Sequence, residues 1–321
     1  MAKPQVEGSC LLSAVFAELV PKTDTLCNKG AKPSMSDIKN PIGVITLLWS
    51  ENFCQKDLWI FEKIREFGFT AVDIAVGDPE QFPTRETAAE LKKTGLIPVI
   101  TKALPPEYNP VSPDRRCRRA AAEYLKRLVD IAAEIHSTLV AGVIYAGWGY
   151  RTGRPPTEDE WKRSVECLRE AAEYARPAGV TLAPEVINRY VTHLLNTAED
   201  GVRYCRDVGM ENVKVHLDTF HMMMEERNLS EAIRTCGKEY LGYFHTCENY
   251  RGIPGTGMVP WQEVFRTLKE IDFTGPMAIE SYAPEFTHVA GNSCIWRKFA
   301  KSGDDFARIG LHNLLEIMNE I

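Results

Sequence analysis

The sequence has no C-x-x-C pair, although nine cysteines (Cys10, Cys27, Cys54, Cys117, Cys167, Cys205, Cys236, Cys247 and Cys294) are spread along its 321 residues. An odd, scattered set argues against a disulfide framework or a cysteine zinc cluster, and suits reduced thiols in a cytoplasm. No apolar run approaches the roughly 18 residues that a spanning helix needs. Residues 11–17 are apolar but soon meet Glu18, too short a run for a secretory leader. An excess of positive charge is also missing, with 38 Lys and Arg against 44 Asp and Glu. A net charge of −6 argues against a nucleic-acid or anionic-membrane surface. The one basic cluster, Arg115, Arg116, Arg118 and Arg119, opens a helical pattern and reads as a solvated helix face. No low-complexity linker divides the chain, and no G-x-G-x-x-G joins a strand to a helix; GIPGTG, from Gly252, has the wrong spacing. Residues 1–39 carry no periodicity and read as a loosely defined extension before a single domain over 40–321.

What is present is a repeat of two patterns. With 44% hydrophobic residues the chain can bury a large core. Short β-rich runs occur at 42–49, 70–76, 96–101, 138–144, 180–186, 212–217, 240–245 and 276–281. Amphipathic helical patterns follow at 56–67, 84–94, 114–135, 158–176, 197–208, 229–236, 261–270 and 303–319. Capping residues such as Asp114 and Thr157 start helices, and Gly68, Gly95, Gly179, Gly209 and Gly275 punctuate helix-to-strand joints. Eight strands alternating with eight helices is the count of an α/β protein of the (β/α)₈, or TIM-barrel, class. A doubly wound sheet is the alternative.

In a barrel, chemistry sits at the carboxyl ends of the strands. The last four strands end on Glu185, Asp218, His245 and Glu280. Polar groups on apolar strands are costly to bury unpaired. Strands lie about 4.8 Å apart, so four consecutive ends can surround one ion. Three carboxylates and an imidazole suit Mn²⁺ foremost, with Co²⁺ and Mg²⁺ as alternatives. Taken singly, an acid at a strand end is more often a helix cap or an ion-pair partner than a metal ligand.

His221 and Arg251 follow on loops from the same ends and suit hydrogen bonds to a polyol or carbonyl oxygen, or ion pairs with the acids. Trp49 and Trp148 stand near strand ends, placed either to cap the barrel or to pack against a sugar face. His216 shares the parity of Asp218 and reads as a buried neighbour rather than a ligand. Glu248 is placed to orient His245 or Arg251, or to face water.

The stretches EVINRY from Glu185, HLDTFHM from His216, HTCENYRGIPGTG from His245, AIES from Ala278 and IWR from Ile295 resemble the D-tagatose/D-psicose 3-epimerase family, among the xylose-isomerase-like sugar isomerase barrels. The resemblance implies that Glu185, Asp218, His245 and Glu280 bind one divalent metal ion. It implies that Glu185 and Glu280 exchange a substrate proton, that His221 and Arg251 hold the substrate, and that Trp148 lies near the sugar. One position departs: Val191 stands where the family has a substrate-contacting glutamate. The expected activity is epimerisation of a ketose at C3 through an enediolate. The alternatives are a related sugar isomerase, a C–O lyase of the inosose-dehydratase kind, an enzyme acting on an oxidised glycoside, and, last, an inactive sugar-binding barrel. A DNA-repair endonuclease would want a histidine-rich cluster and a basic face. The expected partner is a small sugar, and the sequence admits a homo-oligomer, dimer or tetramer.

Overall fold

The computed structural model describes residues 39–321, so the expected extension over 1–39 falls almost wholly outside the described residues. Strands β1 (Ile42–Val44), β2 (Ala71–Ala75), β3 (Ile97–Thr101), β4 (Leu139–Gly142), β5 (Thr181–Pro184), β6 (Val215–Asp218), β7 (Leu241–Thr246) and β8 (Met277–Ile279) are laid down in chain order. Every pairing is parallel, in two four-stranded runs, β1-β8-β7-β6 and β2-β3-β4-β5. Isolated parallel bridges join them at Ile45–Asp73, Leu182–Val213 and Glu185–His216, so the strands close into a barrel.

Helices α1 (Trp59–Glu66), α2 (Thr84–Thr94), α3 (Arg115–Glu134), α4 (Glu158–Ala175), α5 (Ala198–Val208), α6 (Thr219–Glu225), α7 (Leu229–Tyr240), α8 (Trp261–Glu270), α9 (Thr287–Asn292) and α10 (Gly303–Asn319) complete the alternation. Local chemistry sets their ends. Asp114 accepts the Arg116 N–H at 2.8 Å to start α3, and Thr157 and Glu160 exchange hydrogen bonds to start α4. The Arg115 and Arg119 side chains at the head of α3 are exposed, as the basic cluster implied. Most strands are shorter than the pattern predicts, β1 by the largest margin. β1 ends at Val44, and Thr46–Leu48 turns as a 3₁₀ segment, because the Ile45 N–H bonds Ile279 while Trp49 and Ser50 fold back onto Thr46. Among the described residues, all seven cysteines are free, and no helix is long and apolar enough to cross a membrane.

Candidate active site

The four strand-end groups come together. Glu185 follows β5, Asp218 closes β6, His245 lies on β7 and Glu280 follows β8; all are buried. One ligating atom from each lies within 4.8 Å of the others. A second such group is Glu185, His216 and His245.

Buried polar atoms are normally hydrogen-bonded. Here His245 Nδ1 and Glu185 Oε1 have no hydrogen-bond partner. The reason for the first is Asp73, in the middle of β2. Its Oδ2 accepts from Tyr243 Oη at 2.8 Å and faces His245 Nε2 at 2.8 Å, and its Oδ1 accepts from Thr101. That contact places the imidazole proton on Nε2 and leaves the Nδ1 lone pair facing Glu280 Oε2, 3.3 Å away. A lone pair and an unpartnered carboxylate oxygen, converging with two further carboxylates, fit a divalent cation and leave it a mostly oxygen shell.

Arg251 reaches the same point. It adopts φ +62°, in the left-handed region that non-glycine residues visit rarely. Its Nη1 donates to Asp218 Oδ2 and Glu280 Oε2, and its guanidinium packs 4.2 Å over the Phe220 ring. The loop that holds it is built on Glu248, which is buried. Glu248 Oε1 accepts from Gly255 N–H at 2.8 Å and Trp261 Nε1–H at 2.6 Å. Glu248 therefore ties the glycine-rich stretch together rather than facing water or His245. A Cβ on Gly257 would come within 2.4 Å of its Oε2, so a larger residue there would displace the Glu248 carboxylate.

His221, on α6, turns Nδ1 to the Asn188 backbone N–H, 3.1 Å away. Nε2 stands 2.9 Å from Arg251 Nη2 and 3.7 Å from Glu185 Oε1. The Arg251 guanidinium, which can only donate, and the His221 ring thus border one small space.

Burial dominates the acid–base behaviour. It pushes the Glu185 carboxyl well above its ordinary value, with Glu280 adding to the effect, and raises Asp218 to about 6 against the pull of Arg251. Burial also opposes the charge on Glu280, yet Arg251 and His245 outweigh it and hold that carboxyl well below the usual range. His216 and His221 are driven neutral, first by burial. The two glutamates are therefore pushed apart.

Glu185, Glu280, His221, Arg251 and Trp148 all line one cavity of about 400 Å³, together with Lys102, Tyr282 and His288. Its wall includes Gly142 at φ +107°, where a Cβ would sit 2.4 Å from the Lys102 carbonyl oxygen. Two expectations change. Trp49 lies outside this cavity: the 3₁₀ segment carries it into a neighbouring one, where its indole N–H donates to Asp304 at 2.7 Å. Val191 is not among the lining residues either; half-buried, it packs against the core with its N–H on the Asn188 carbonyl. Asp73, Lys102 and Tyr282 were missed. The signal for the first was an acid in the middle of the apolar run TAVDIAV.

Residues 61–301 match the model of a family described as a xylose isomerase-like TIM barrel. An L-ribulose 3-epimerase of Mesorhizobium japonicum is 33% identical, over 84% of this chain and 94% of its own length. A D-psicose 3-epimerase of Agrobacterium fabrum is 32% identical, over 83% and 93% respectively. A solved L-ribulose 3-epimerase structure superposes with a TM-score of 0.83 at 30% identity, covering 88% of this chain and 95% of that one. The barrel, its buried cluster and these likenesses agree: the chain belongs to the xylose isomerase-like TIM barrel family and, within it, to the ketose 3-epimerases, which are sugar isomerases.

Proposed function

We propose that this cavity epimerises a ketose at C3 through an enediolate, with Glu185 and Glu280 exchanging the proton and one divalent ion, Mn²⁺ foremost, held by Glu185, Asp218, His245 and Glu280. The observation that carries the reading is the pairing of two buried glutamates in one group of ligating atoms, in a chain akin to ketose 3-epimerases. When bound, the ion supplies Lewis-acid polarisation of the carbonyl beside C3.

The chain's own residues do the rest. Glu280 is held by Tyr282 Oη, which donates to its Oε1 at 2.8 Å, and by Arg251 at Oε2; it is placed to take the C3 proton. Glu185 Oε1, free of any hydrogen bond and favouring the protonated form, returns a proton to the opposite face. Inversion at C3 follows, and the reverse reaction exchanges the roles. The Arg251 guanidinium, with His221 beside it, faces the substrate oxygen on which negative charge develops. Trp148 offers an apolar face to the sugar carbons.

Glu185→Gln and Glu280→Gln each keep one coordinating oxygen and lose the base. Turnover should fall by roughly 10² or more while part of the bound metal is retained. Near-normal turnover in either variant, with metal bound, would place the proton transfer elsewhere.

A further inference from the structure

Lys102 is a charged residue of this cavity that proton exchange does not use. It follows β3 directly, and its ammonium donates to the carbonyls of Val76 at 2.9 Å and Gly77 at 2.6 Å, both cavity-lining residues. It also lies 5.8 Å over the Tyr124 ring. Among the described residues no carboxylate stands within ion-pair distance of it. Asp78 and Glu107 act on it only through space, and both are exposed to water. A half-buried lysine without a counter-ion is costly. Burial lowers its amine to about 8, which still leaves it mostly charged at neutral pH. Two carbonyl hydrogen bonds explain a donor at this place, but they do not explain a full positive charge. One of the three ammonium N–H groups remains.

The position in the barrel says what that charge faces. In the closed strand order, β3 lies across the mouth from β7, which carries His245. A ketose whose reacting carbons rest on the glutamate cluster therefore extends its far end toward the β2–β3 side of the cavity. Asn52 flanks that side: a Cβ on Gly77 would come 3.2 Å from its Oδ1. Glu51 lines the cavity too, but its Oε1 accepts the Val289 N–H at 2.8 Å and ties down α9.

We propose that the ketose taken by this cavity bears an anionic group, a carboxylate or a phosphate, at the end remote from its reacting carbons, and that Lys102 binds that group. The inference rests on the function proposed above and names its substrate class.

The test uses the full-length, Mn²⁺-loaded protein. Calorimetric binding and NMR-followed turnover are measured for D-fructose, D-fructose 6-phosphate and D-fructuronate, and the two anionic arms separate phosphate from carboxylate. One anionic ketose should bind roughly tenfold or more tighter than D-fructose, as a charged hydrogen bond allows. In Lys102→Met this preference should fall to about threefold or less. Equal binding of all three by the unmodified protein overturns the inference, whatever the variant does. So does a Lys102→Met protein that loses the same factor on neutral and anionic ketoses, because lysine would then be only a structural tie. An anionic preference without turnover of any ketose would instead contradict the proposed epimerisation and leave this inference standing.

Discussion

At the scale of single residues, Asp73 shows how a buried acid serves a neighbour. It touches no cavity surface, yet it fixes the His245 tautomer through Nε2 and so aims Nδ1 at the carboxylates. Replacing it with Asn keeps the shape and removes the charge that holds the proton on His245 Nε2. Asp73→Asn should weaken Mn²⁺ binding roughly 10- to 100-fold, the usual effect of altering the partner of a ligating histidine. A metal titration of the two proteins checks this; equal affinities would mean that Asp73 only packs the barrel. Glu185, Asp218, His245 and Glu280 were legible in the sequence because strand ends are easy to count. Asp73 was not assigned, since its partner lies 172 positions away and only the closed barrel brings β2 under β7. Trp49 and Val191 misled for a local reason. Each sits one turn beyond a strand, and the direction a turn takes is set by hydrogen bonds that composition does not reveal.

At the scale of elements, the alternation of strands and helices followed from periodicity and caps, and the observed bounds of α3, α4, α5, α8 and α10 lie within a residue or two of the expected ones. The short α6 and α9 did not follow. α6 is started by Asp218, whose Oδ1 accepts the Phe220 N–H at 2.8 Å, so one residue both caps a helix and joins the cluster. α9 is pinned by Glu51 from far along the chain. The capping box of α4 offers a pH test away from the cluster. Arg154 and the Thr157 N–H hold the Glu160 carboxyl down at about 2, against an ordinary value of 4.5. A depressed folded value means that its stabilisation is complete above the ordinary value and is lost as pH falls toward about 2. Glu160→Gln should therefore cost roughly 1–3 kcal/mol at pH 7. The gap between the two proteins should narrow steadily below pH 4.5 and close near pH 2. Urea unfolding across that range measures it; a gap independent of pH would show that the charge contributes nothing.

At the scale of the whole molecule, eight parallel strands bring three carboxylates into one buried place, where Arg251 pairs with two of them. Such a barrel should be more stable with its cation than without. At a hundredfold excess over Kd, mass action contributes about 2.7 kcal/mol. Chelation should lower Tm by several degrees, and Asp218→Ala should abolish that dependence; a Tm indifferent to chelator in the unmodified protein would remove the ion from the account. The central claim is that ion and glutamates together move the C3 proton, and the most direct measurement follows that proton. D-Psicose is incubated in D₂O with the chelated protein and with the same protein after Mn²⁺ is restored, and deuterium at C3 is read by NMR. Deuterium should appear at C3 of the inverted product only when the ion is present. Equal incorporation without the ion, or inversion with the C3 hydrogen retained throughout, would contradict it.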